Sequence, residues 1–176
     1  MSKSLAARVA IAVVVVLGVV GFRVFFVDSN EVRRFNDKLV DTVGQANSRF
    51  EPFERHLVRY FEGAEVNVEL MAQARDDLER NIKGDHDLLK QMTVPEDELC
   101  GEFHSGCLAY VENSVQLVEK YKEAIDYISK HNPGNEADVN AVGSLLAKLA
   151  TKDGELLQSV SECQQRMAKE YDFKLE

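Results

Sequence analysis

The chain has 176 residues, with 30 acidic and 21 basic side chains and a formal net charge of −9. That balance argues against nucleic acid and anionic lipid headgroups as electrostatic partners, since both repel an acidic surface. With 45% hydrophobic residues, three prolines and no tryptophan, the composition excludes a disordered chain and points to a helix-rich fold with one core.

Residues 1–27 are the first predicted element, a membrane anchor. Ala10 to Phe22 is an unbroken apolar run, and only Arg23 separates it from Val24-Phe25-Phe26-Val27. A helix from Val9 to Val27 would be about 28 Å long, close to the roughly 30 Å of a hydrocarbon core. Arg8 and Arg23 fall near its ends, where a guanidinium snorkels to the membrane interface. The competing reading is a cleaved signal peptide cut near Val19-Val20-Gly21. No Ala-x-Ala pattern follows the run, and the apolar character continues through Phe26, so an uncleaved, single-pass signal-anchor is the expectation. Lys3, Arg8 and the α-amine flank one side, and Arg23, Arg33, Arg34 and Lys38 the other. That count does not favour an inside N-terminus. A short basic tail before a first apolar segment does, and it places the rest of the chain on the extracytoplasmic side, in a periplasm or at a cell surface.

The anchor holds three of the 21 basic residues and none of the 30 acidic ones, which leaves 18 against 30 in residues 28–176, a net of −12. This acidic domain divides into four amphipathic stretches. The first, about 30–62, carries Val32, Phe35, Leu39, Val43, Ala46, Phe50, Phe53, Leu57 and Tyr60 at spacings of three and four, a coiled-coil-like seam. Pro52 must kink or interrupt it, and Ser48-Arg49-Phe50-Glu51 reads as a capping box that restarts the helix. The second, about 67–92, carries Leu70 or Met71, Ala74, Leu78, Ile82, Leu89 and Met92, with Asp85 where an apolar residue belongs.

Thr93-Val94-Pro95-Glu96 reads as a cap with an early-helix proline. The third stretch, about 96–130, has Cys100, Phe103 or His104, Cys107, Val111, Ser114, Val118, Tyr121, Ile125 and Ile128 on its seam, and ends at the type II turn signal Asn132-Pro133-Gly134. Asn135 caps the fourth, about 135–172, whose seam is Val139, Val142, Leu146, Leu149, Asp153, Leu156, Val160, Cys163 and Met167. No β-type alternation occurs. The predicted fold is all-α: a single N-terminal transmembrane helix followed by an antiparallel up-down four-helix bundle over residues 28–176. Its architecture is similar to the extracytoplasmic sensor bundles of bacterial receptors, although no motif carries membership of that family. No second apolar segment follows, so a signal would pass through a partner.

Cys100, Cys107 and Cys163 all fall on seam positions. With the third turn centred between Pro133 and Gly134, antiparallel pairing sets Cys163 opposite His104, within reach of Cys100 or Cys107. Three readings stand. One is a disulfide from Cys163 to Cys100 or Cys107, favoured by an oxidising compartment, with one thiol left over. A Cys100–Cys107 bridge would have to break the helix at Gly101 and Gly106, because seven helical residues rise about 10.5 Å and a disulfide needs Cα atoms within about 7 Å. The second is a zinc or copper(I) site from Cys100, His104, Cys107 and Cys163. The third is buried free thiols acting as small apolar side chains.

Asp85-His86-Asp87 reads as a solvated helix face rather than a ligand set. His56, His86 and His131 lack the Glu three residues earlier that di-iron bundles use, and no phosphate-loop, dinucleotide or nucleophile-elbow pattern occurs. Asp153 either pairs with a buried base or marks a wet patch in the seam. No residue set converges on a reaction, so the expectation is not an enzyme. It is a membrane-anchored interaction or scaffold module that binds another protein or forms a homo-oligomer, with no metal or cofactor. The alternatives are a metal-binding or thiol-redox module using the cysteines, and an extracytoplasmic small-molecule sensor.

Overall fold

Amphipathic stretches separated by short polar turns leave each helix one way to bury its apolar stripe, against its neighbours. The computed structural model describes residues 31–173 and contains five helices: α1 (Glu31–Ser48), α2 (Glu51–Phe61), α3 (Val68–Lys90), α4 (Glu98–Ile128) and α5 (Glu136–Glu170). No strand occurs among the described residues. The predicted anchor, with Arg8 and Arg23, and the signal-peptide alternative both lie outside the described residues. Among those described, no helix is long and apolar enough to cross a membrane.

α1 and α2 form one arm with a break at residues 49–50, so the chain makes a helical bundle of four arms. Pro52 sits in the first turn of α2, where its missing N–H costs nothing. The expected capping box at Ser48 does not form. Phe50 is the N-cap, at φ −73° and ψ −27°, and makes no side-chain cap hydrogen bond. The chain never leaves the helical region there, so Ser48 Oγ donates back to the Gln45 carbonyl at 2.9 Å. The cap expected at Thr93–Glu96 also moves. Asp97 is the N-cap of α4, with its carboxylate accepting from the Cys100 N–H at 2.9 Å, and Pro95 lies in the loop before it. Asn67 and Asn135 cap α3 and α5 with their side-chain oxygens.

Contacts between arms fix their directions. His104 meets Leu89, and Glu112 meets His86, so α3 and α4 run antiparallel. Glu102 pairs with Arg166, Asn113 with Asp153 and Tyr127 with Asp138, so α4 and α5 are antiparallel too. Phe35 faces His104, and Phe53 stacks on Tyr121 at 4.1 Å, so the first arm runs parallel to α4 across the bundle. α4 is the central helix, packing on α1, α3 and α5. Phe53, Tyr60, Phe103 and Tyr110 are fully buried, each such aromatic or large apolar side chain stabilising by roughly 1.5–3 kcal/mol. Beyond Asp153 the seam of α5 runs through Leu157 rather than the expected Leu156.

One end of the bundle is closed by backbone. Gly134 has φ +72° and Gly63 φ +84°, and a Cβ built on Gly134 would stand 2.6 Å from the Cα of Gly63. The Gly134 N–H donates to the Tyr60 carbonyl at 3.1 Å. The α4–α5 turn thus docks on the α2–α3 turn, which only glycine permits at that distance.

Candidate functional site

Cys100 and Cys107 lie on one face of α4 and Cys163 on the facing side of α5. All three are buried free thiols. Burial pushes the Cys100 thiol up to about 11, with the Asp97 carboxylate adding to it. Burial raises Cys107 further and raises Cys163 as well, where the Arg166 guanidinium 3.5 Å from Sγ works in the opposite direction. Negative charge on Cys163 would raise both α4 thiols, so it stands near each of them. Thiols held protonated in this way are poor nucleophiles at neutral pH. α4 continues unbroken through Gly101 and Gly106, which removes the helix break that a Cys100–Cys107 bridge requires.

His104 turns away from this group. Its Nε2 lies 2.9 Å from the Leu89 carbonyl at the end of α3, so that nitrogen donates, and its ring lies against Phe35. Positions 100, 104 and 107 share a broad face of α4, but His104 lies on the α3 side and Cys163 approaches from α5. Among the described residues no three His, Cys, Asp or Glu side chains converge as a metal site. His86 faces Glu112 at 3.4 Å, and His131 stacks on Tyr127 with ring centres 3.8 Å apart. A shallow depression over Cys163 is lined by Glu102, Ser159, Glu162, Arg166 and Lys169 among others.

The second polar cluster lies between α4 and α5. Asp153 of α5 accepts from Asn113 Nδ2 at 3.1 Å and from Ser114 Oγ at 3.5 Å. Burial pushes its carboxyl up to about 6, and these two donors only partly oppose the rise. Glu54 of α2 is raised by burial first, then by the charges of Asp153 and Glu51. Tyr110 and Tyr121 of α4 are raised well above the usual phenol value by burial, with Asp153 and Glu54 both adding to it. The Tyr110 hydroxyl donates to Asn47 Oδ1 at 3.3 Å. Asn113 also donates to the Leu149 carbonyl at 3.2 Å, and its own Oδ1 is buried without a hydrogen-bond partner. Among the described residues no basic side chain is ion-paired with Asp153, which marks a polar patch inside the bundle.

Asp85, the misfit of the second seam, is accounted for differently. It is buried and ion-paired with Arg49, whose Nη1 also donates to the Asn81 carbonyl at 3.0 Å. Arg49 is one of the two residues at the α1–α2 break, so this pair pins the break onto α3.

Glu54 was not visible as a site residue, since it sits beside Phe53 on a surface-like helix position. A signal for the rest existed. The register that sets Cys163 opposite His104 also sets Asp153 opposite Ser114, two polar residues at paired seam positions. Comparison with protein-family models, with curated proteins and with solved structures finds no match.

Proposed function

We propose that the protein is a membrane-tethered helical-bundle interaction module, non-catalytic, that binds another protein or a second copy of itself. The observation that carries the reading is the apolar run from Ala10, which leads within a few residues into the amphipathic helix beginning at Glu31. Such a segment holds a stiff bundle at a bilayer. On α3, Leu70 and Leu88 are 52% and 42% exposed. Eighteen residues are five helical turns, so the two share one face, about 27 Å apart. Asp77 and Asn81 lie between them on that face, which offers a partner helix two apolar contacts in a polar surround.

The test is intact mass of the protein extracted from its native membrane, together with photo-crosslinkers at positions 70 and 88. A retained Met1 or Ser2 and discrete adducts, of dimer mass or of one partner, support the reading. Loss of the first ~20 residues overturns the tether. Retention without adducts at either position overturns the interaction face. Measured without reductant, the same mass reports whether Cys163 is joined to Cys100 or Cys107, the state an oxidising compartment favours.

The second reading is a sensor domain. The polar cluster inside the bundle, where Asp153 accepts from Asn113 and Ser114 and Asn113 Oδ1 is buried without a hydrogen-bond partner, is the observation that favours it.

A further inference from the structure

Leu70 and Leu88 are two of the three large apolar side chains that stand exposed among the described residues, and both belong to α3. The row that joins them runs Leu70, Ala74, Asp77, Asn81, Gly84, Leu88, at spacings of four and three, the period of a helix–helix seam. Ala74 is half-buried and the other five are exposed. From either end the row has the same chemistry: a leucine, a small residue, then a carboxylate or its carboxamide counterpart at the centre. We infer that this row is a homophilic docking surface, on which α3 of a second copy of this chain lies antiparallel. The second copy is then the partner of the interaction module proposed above, and the assignment rests on that reading.

A two-fold axis beside Glu79 makes every layer complementary. Leu70 meets Leu88 of the second copy, Ala74 meets Gly84 and Asp77 meets Asn81, each twice by symmetry. The carboxamide of Asn81 donates to the Asp77 carboxylate, whose Oδ1 is already held by Arg80 at 3.1 Å along its own helix. Parallel packing in register sets Asp77 against Asp77 instead, so the row selects one direction. Gly84 is an independent sign. A Cβ built there would meet nothing within 4 Å, so packing inside one chain does not call for glycine. Glycine within a helix weakens it, and what it permits is close approach of another backbone. The net charge of −9 on each chain opposes any self-association, so the contact depends on this local match.

The experiment uses the full chain in detergent micelles, with a photo-crosslinker at position 70 and an isotopically labelled second copy. The expected product has the mass of a dimer, and its crosslinked peptide maps to the neighbourhood of Leu88 on the other copy. Asn81→Asp, which sets a carboxylate against Asp77 in both central layers, is expected to weaken self-association roughly tenfold or more. Adding Asp77→Asn to Asn81→Asp exchanges the two groups and is expected to restore it. Both positions are exposed, so these variants keep the fold. A wild type that stays monomeric across the accessible concentration range, a crosslink from position 70 to position 70, or an Asn81→Asp protein that associates like the wild type overturns the antiparallel pair. Adducts in the native membrane with a different protein alone overturn the pair as well, and leave the interaction module standing.

Discussion

Asp85 and Asp153 are both acidic residues on helical seams, and the bundle treats them in opposite ways. Asp85 meets Arg49, so one charge cancels another and the contact pins the break in the first arm. Asp153 meets the neutral donors Asn113 and Ser114, so its charge is solvated but not cancelled. Burial raises both carboxyls, yet at Asp85 the guanidinium pulls back down. The lesson is that burial alone does not say whether an acid stabilises. The charge of its partner does.

The largest expected effect is at the paired site. Arg49→Ala leaves Asp85 buried and alone, and is expected to cost about 3 kcal/mol, because removing one member of a buried pair strands the other. Denaturant unfolding measures it. Arg49→Met with Asp85→Leu should recover most of the loss, and a double variant as unstable as Arg49→Ala would show that the pair is not the cause.

Asp153→Asn should act with the opposite sign. The folded carboxyl titrates at about 6, above the ordinary 3.8, so the unfolded chain ionises first as pH rises. The penalty is absent below pH ~4, grows between ~4 and ~6, and is full above that. Asp153→Asn is expected to raise stability at pH 7.5 by at most about 3 kcal/mol and to change little at pH 4. Melting at the two pH values checks it.

Gly134→Ala tests the closed end of the bundle. An added Cβ meets the Gly63 backbone at 2.6 Å, and the residue must also keep φ +72°. A loss of roughly 1–3 kcal/mol is expected from strain and displacement of the turn. Equal melting temperatures for Gly134→Ala and wild type would show that the docked turns are not held as described.

The smallest contrast is between caps. Asn67→Ala removes an acceptor for the Leu70 N–H and should cost about 1 kcal/mol. Ser48→Ala removes a hydroxyl that caps nothing, and should stay within about 0.5 kcal/mol.

Much of the bundle was legible from spacing. The stretch expected at about 67–92 is Val68–Lys90, and that at about 135–172 is Glu136–Glu170. Leu39, Phe53, Val111, Val118 and Met167 are buried as their period requires. The antiparallel register of α4 and α5 followed from one turn signal at Pro133-Gly134. The cap errors at Ser48 and Thr93 arose because a capping residue is chosen by where the backbone turns extended, and a short motif does not state that.

The sequence by itself determined the helices, their apolar faces and the apolar run before Asp28, since period and composition act locally. Tertiary structure decided which polar residues meet. Arg49 reaches Asp85 across 36 positions, and Asn113 reaches Asp153 across 40. Their distances along the chain carry no information about contact. Only the packing of arms around α4 brings one acid to a base and the other to neutral donors.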